Sequence, residues 1–283
     1  GYAKNKNAKP SLSISAAREN KFPIDWENYT PPVPKKLGVH QLENYPLKKL
    51  VDFIDWTPFF QTWQLHGKFP VLLEDEKIGA EATKLFKDAQ EMLRLIVREN
   101  WLTANGVYGL FEANSVGDDI FLKEENETFF TLRQQGEFKP GIANFALSDF
   151  IAPAESGKKD FIGCFAVATG LGIDTRIKQF EAEHNDYKAL LLKSLADRLA
   201  EAFAEHLHLR IRTEFWGYSP QESLSTDDLI HEKYQGIRPA PGYPACPDHL
   251  EKKTIFKLLQ PEKLGITLTE SLAMFPAAAV SGY

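Results

Sequence analysis

From Asp174 to Phe215 a single apolar stripe recurs every three or four residues, through Ile177, Phe180, Tyr187, Leu191, Leu195, Leu199, Phe203, Leu207 and Ile211. That period marks an amphipathic helix with its charged side chains on the other face. The stretch reads either as one very long helix or as two joined near His184–Asp186, with Gly217 as the stop. A second stripe runs over Glu76–Glu99 through Ile78, Ala82, Leu85, Phe86, Ala89, Leu93, Ile96 and Val97. Strand-like runs fall elsewhere: Val107–Phe111, Asp119–Leu122, Phe129–Leu132 and a buried run at Phe161–Ala168. Strands and helices therefore come in blocks rather than in βαβ alternation. The expectation is an α+β domain with an antiparallel sheet and long flanking helices, not a doubly wound nucleotide fold.

Shorter elements are marked by caps and prolines. Ser15–Asn20 reads as a small helix, Leu47–Ile54 as another, and Pro58 as the first residue of a third with Asp55 or Thr57 at its N-cap. Ser225 with Asp228 resembles a capping box for a helix reaching Tyr234. Thr254–Leu259 is expected as helix and Ile266–Leu268 as strand. Pro31, Pro32 and Pro34 force an extended path that carries Phe22, Trp26 and Tyr29 across a core. Residues 1–12 are polar and read as a linker or tag remnant before a domain over 13–283, so the chain is expected to be an excised piece of something longer.

Composition excludes several function classes. A net charge of −6 over 283 residues is a poor match to nucleic-acid phosphates. Cys164 and Cys246 are too few to staple a fold and suit a reducing compartment, hence the cytoplasm. Apolar runs are strand-sized, far short of the roughly 18 residues that span a bilayer. Common catalytic motifs are absent. Gly170-Leu171-Gly172 lacks the third glycine of a dinucleotide turn, since residue 175 is threonine. Gly157-Lys158 lacks the rest of a phosphate loop, and His206 and His208 fall on different helix faces. Cys246 and His249 are at most half a metal site and read as two unrelated loop residues.

The loop from Gly236 to Pro247 stands apart. Four prolines between 239 and 247 stiffen the backbone and leave few amide donors, those of Ala240, Gly242 and Tyr243 among them. Gly242 lets a ligand approach the main chain. Arg238 offers a planar fork for a carboxylate. Such a loop suits a small zwitterion; the plainer reading is a rigid surface loop whose arginine pairs with a helix carboxylate.

Asp52–Phe60, Leu85–Ala89, Ala196–Ala202, Tyr234–Pro244 and Glu270–Met274 occur together in this order, and the chain from about Ser13 onward resembles the C-terminal activation domain of cobalamin-dependent methionine synthase. The family motif R-x-x-x-G-Y is met by Arg238, Gly242 and Tyr243. The resemblance implies a C-shaped α+β domain that binds S-adenosylmethionine (AdoMet) in a shallow groove. It implies that AdoMet and an electron from flavodoxin or a flavoprotein reductase restore methylcobalamin from cob(II)alamin, with cobalamin carried by another domain. On this likeness Arg238 grips the methionyl carboxylate, Asp55 meets the ammonium end, Ala240 and Gly242 add backbone contacts, and Tyr243 lies near the sulfonium. Glu201 and Glu232 match acidic positions close to the family site. The family continues past this chain's end and supplies one more tyrosine contact there. Two other functions stay open: a docking module for flavodoxin or reductase and the cobalamin domain with little AdoMet binding, and a stand-alone small-molecule enzyme.

Overall fold

The computed structural model describes residues 11–283. Eight strands and seven α-helices occur among them: α1 (Ile14–Glu19), β1 (Gly38–Leu42), α2 (Trp56–Thr62), α3 (Gly79–Glu99), β2 (Thr103–Val116), β3 (Asp119–Leu122), β4 (Glu127–Phe129), β5 (Asp160–Leu171), α4 (Ile173–Ala182), α5 (Asp186–Arg210), α6 (Thr226–Ile230), α7 (Glu251–Leu259), β6 (Thr267–Leu268), β7 (Met274–Phe275) and β8 (Ala279–Gly282). The lead-in expected for residues 1–12 lies outside the described residues up to position 10. Ser11 bridges to Gly136, and the Leu12 N–H donates to the Gln135 carbonyl at 2.8 Å.

The main sheet has six strands and every pairing is antiparallel. β2 is its spine. One edge of β2 takes β1 over Gly106–Leu110 and β3 over Asn114–Val116; the other pairs with β5 from Thr103 to Ala113. β8 then adds to β5, Ala279 opposite Ala168 and Gly282 opposite Phe165. Alternate residues of the central strands serve two cores, as the strand period dictates. Tyr108, Leu110, Phe165 and Val167 join α3 and α5 in the larger cluster, with Leu93, Ile96, Phe203 and Leu207. Val107, Phe111, Cys164 and Ala166 join Ile255, Phe256 and Leu259 of α7 on the other side. With both faces covered, β5 is buried at nearly every position, which is why its sequence is an unbroken apolar run. α5 lies close on the sheet because Gly106 leaves room: a Cβ there would come within 3.0 Å of the Phe203 ring.

Of the two readings of the stripe from 174 to 215, the structure realises two helices, α4 and α5, joined at Glu183–Asn185, with His184 at φ 53° and the Asn185 side chain capping α5. The stripe ends in a π turn, Ile211–Phe215, closed by the Trp216 N–H to the Ile211 carbonyl at 2.8 Å. Other boundaries depart from the sequence reading. Leu47–Ile54 is not one helix but two 3₁₀ turns, Leu47–Lys49 and Val51–Phe53. A segment so short does not recover the cost of nucleating α-helix. α6 stops at Ile230, well short of Tyr234, and Glu232 takes φ 52°. β1 and β8 have no strand-like run in the sequence; main-chain pairing to β2 and β5 makes them strands.

Candidate functional site

α5 is the rib on which the candidate residues gather. Toward its C-terminal end and into the π turn, Glu201, Glu205, His208 and Arg212 recur at spacings of four, three and four, a polar row beside the helix's buried apolar stripe. Arg238 comes down on this row. Its Nη2 donates to Glu205 Oε2 at 2.8 Å and its Nη1 to the Ala204 carbonyl at 3.2 Å. The plainer reading of Arg238, a partner for a helix carboxylate, is thus realised. Two anchors do not exhaust a guanidinium, which carries five N–H donors.

Below this pair the row is dry. The Arg212 guanidinium is fully buried and makes a bidentate pair with Glu222 at 2.6 and 2.8 Å. It also stacks over the Tyr234 ring, 4.1 Å from its centroid. The His208 ring meets the same tyrosine edge-on at 4.8 Å. Burial, with the Arg238 and Arg212 charges adding to it, pushes the His208 pKa well below the ordinary imidazole range, so this ring is neutral. Burial lifts the Tyr234 phenol above its usual value. Glu205, His208, Arg212, Glu222 and Tyr234 were not singled out from the sequence as site residues; the polar row on α5 was the available signal.

The loop after Arg238 is held at the end of β8. The Pro239 carbonyl accepts the Tyr283 N–H at 3.1 Å, and a Cβ on Gly282 would lie 2.7 Å from that same oxygen. Within the loop the Gly242 N–H donates to the Cys246 carbonyl at 2.7 Å and the Tyr243 N–H to the Ala240 carbonyl at 3.3 Å. Two of the three donors that the prolines leave are thus spent inside the loop, which closes on itself. Among the described residues only the Ala240 N–H of the three has no intramolecular acceptor. Gly242 sits at φ 99° with the His249 ring packed where a Cβ would stand. Cys246 is buried, its Sγ 2.9 Å from the Tyr283 hydroxyl, so it is engaged inside the protein rather than set out with His249 as a metal ligand. Tyr243 projects outward, 64% exposed.

Asp55 caps α2, accepting the Thr57 N–H at 3.0 Å, with Pro58 at the third helical position rather than the first. The cap uses Oδ1. Its segment reaches α5 through Phe53, whose ring centroid lies 4.7 Å from that of His206, and α6 through Asp52, whose carbonyl accepts the Thr226 hydroxyl at 3.0 Å. Glu201 is exposed one helical turn before Glu205, and Glu232 is exposed beyond α6. Asp55, Glu201, Glu232 and the Arg238–Tyr243 loop thus come from segments attached to α5 directly or through α6. A cavity of about 420 Å³ opens beside Arg238, walled by Trp26, Phe150, Phe161, Trp216, Pro239 and Tyr283. Asp55, Ala240, Gly242 and Tyr243 do not line it; Gly242 and Tyr243 are exposed, and Asp55 and Ala240 are half-buried.

Among the described residues no helix is long and apolar enough to cross a membrane. Residues 46–283 match the family model of the vitamin B12 dependent methionine synthase activation domain. The chain is also similar to a crystal structure of the MetH reactivation domain bound to AdoHcy, at 54% identity and a TM-score of 0.92, over 96% of this chain and 86% of that one. The α+β fold expected from the sequence is the fold of that domain.

Proposed function

The chain belongs to the vitamin B12 dependent methionine synthase activation-domain family, and from that premise we propose that it binds AdoMet and presents the methyl group for reductive methylation of cob(II)alamin carried by a companion domain. One electron, from flavodoxin or a flavoprotein reductase, reduces the cobalt. The sulfonium C–S bond then breaks, the methyl goes to cobalt, and AdoHcy leaves. AdoHcy is the molecule held by the similar reactivation domain. This chain's share of the work is positioning, because a reduced cobalamin is already a nucleophile and needs no general base. The chain is accordingly part of a methyltransferase and does not turn over alone. Two free, buried cysteines fit work in the cytoplasm, where thiols stay reduced.

The observation that carries the reading is Arg238: anchored to α5 on one side and only partly buried, it opens a charged fork beside a rigid loop. Arg238 takes the methionyl carboxylate and the second oxygen of Asp55 faces the ammonium end. The Ala240 N–H and the Gly242 main chain line the ligand, and Tyr243 shields the sulfonium. Glu201 and Glu232 add negative potential around a cationic ligand. Isothermal titration with AdoMet and AdoHcy tests this. Arg238→Ala is expected to lose about 1.5–3 kcal/mol of binding, the worth of a hydrogen bond to a charged group. Undiminished binding by that variant would overturn the assignment of Arg238, whereas no AdoMet binding by the parent chain would favour the docking-module reading.

A further inference from the structure

We propose that Glu205 is a positioning residue for the ligand carboxylate: it fixes the plane of the Arg238 guanidinium so that the unspent N–H groups face the groove. This rests on the function proposed above. A guanidinium is a rigid plane at the end of a flexible stem, so its usefulness as a fork depends on what stops it turning. Arg238 is stopped at two nitrogens, Nη2 by Glu205 Oε2 at 2.8 Å and Nη1 by the Ala204 carbonyl at 3.2 Å. The second anchor is helix backbone and cannot swing away; together the two define the plane. Nε–H and one hydrogen on each terminal nitrogen remain for a ligand.

The neighbouring Arg212–Glu222 pair is the internal control. There both glutamate oxygens are used, and nothing of the arginine reaches solvent. Glu205 gives Arg238 one oxygen only; its other oxygen, Oε1, is buried without a partner. A pair serving stability alone gains from closing that second bond. The single contact leaves the fork open. Glu205 cannot readily move out to compete for solvent either, since its side chain is only 15% exposed.

The test is calorimetric titration of the whole chain with AdoMet and with decarboxylated AdoMet, which keeps the adenosine, the sulfonium and the amine but lacks the carboxylate. Glu205→Ala is expected to weaken AdoMet about tenfold and decarboxylated AdoMet less than about twofold. Glu205→Gln, whose amide oxygen still accepts a hydrogen bond, is expected to recover to within about threefold of the parent. In an Arg238→Ala background, Glu205→Ala is expected to add less than about twofold, because the two act as a unit. Unchanged or tighter AdoMet binding by Glu205→Ala overturns the proposal, since it makes Glu205 a bystander or a competitor. So does an equal loss for both ligands, or a full additional loss in the Arg238→Ala background. If Glu205→Ala does not fold, Glu205→Met, which keeps the bulk but removes the acceptor, decides: a loss confined to AdoMet supports positioning and none overturns it. Weakening by Arg238→Ala without weakening by the Glu205 variant that removes the acceptor overturns this inference alone; no effect of Arg238→Ala overturns the Arg238 assignment with it, and no AdoMet binding by the parent chain overturns the proposed function.

Discussion

Two arginine–glutamate pairs lie along the same end of α5 and differ in almost everything but composition. Arg212 and Glu222 have side chains 0% and 7% exposed, bind through two hydrogen bonds and sit under the Tyr234 ring. Arg238 and Glu205 are 20% and 15% exposed and share one hydrogen bond, with an α5 carbonyl as the other acceptor. Removing one ion of the first pair strands the other in a dry interior, whereas the second pair keeps access to water. The inner pair ties the π turn to the segment that follows it. The outer pair keeps donors in reserve. Each guanidinium makes two hydrogen bonds, and what separates a structural arginine from one open to a ligand is whether its remaining donors reach solvent.

The largest expected effect breaks the inner pair. Arg212→Ala is expected to cost about 3–5 kcal/mol of folding stability, because the Glu222 carboxylate is left buried without its cation. Arg238→Ala is expected to cost less, about 1–2 kcal/mol, because this pair is only partly buried and its charges keep some access to water. Urea titrations of both variants measure the difference. Equal losses would erase the distinction and make Arg238 a structural residue.

The distinction was only partly legible in the sequence. Long periodic helices showed plainly, since α3 and α5 repeat their apolar positions over many turns, and Ser225 and Asp55 announced their caps. The Arg238 loop drew notice through its prolines. What it closes on did not show, because the Gly242 to Cys246 bond and the Arg238 to Glu205 bond, 33 residues apart, exist only once the chain is folded. The row Glu201, Glu205, His208, Arg212 has helical spacing that is visible by eye, yet such rows are usually solvated faces. Burial by Tyr234 and the loop changes its meaning, and burial is a tertiary fact. β1 and β8 were missed for a related reason: their strand state comes from partners, not from their own residues.

A third buried carboxylate sharpens the comparison because no cation among the described residues pairs with it. Glu251, at the start of α7 just beyond the loop, is 3% exposed, and its Oε2 has no partner. Burial raises its pKa to about 7 against a hydrogen bond from the Phe130 backbone, and the charges of Asp248 and Asp119 push the same way. The unfolded chain releases this proton near pH 4.5. Between about 4.5 and about 7 the folded state therefore holds more protons, so this residue's contribution to stability falls as pH rises through that window. Glu251→Gln removes the charge. The variant is expected to match the parent at pH 4 and to be more stable by on the order of 3 kcal/mol at pH 8. Denaturation curves at both pH values check this; a difference independent of pH would mean that packing, not charge, governs the site.

The smallest expected effect on stability belongs to Asp55, where the comparison is drawn within one side chain. One oxygen closes a cap to Thr57 while the charge stays available, as Arg238 spends part of its fork and keeps the rest. Asn caps helices about as well as Asp. Asp55→Asn is therefore expected to leave the melting temperature nearly unchanged. Its carboxylate charge is gone, however, and AdoMet carries two positive groups at its amino-acid end. Binding is expected to weaken by about 1 kcal/mol, and the loss to shrink as salt rises, since the groove is open to screening. Melting curves and titrations on the same Asn variant separate the two uses of this residue. A lowered melting temperature with unchanged affinity would reduce Asp55 to a cap, leaving Arg238 without a counterpart at the cationic end of the ligand.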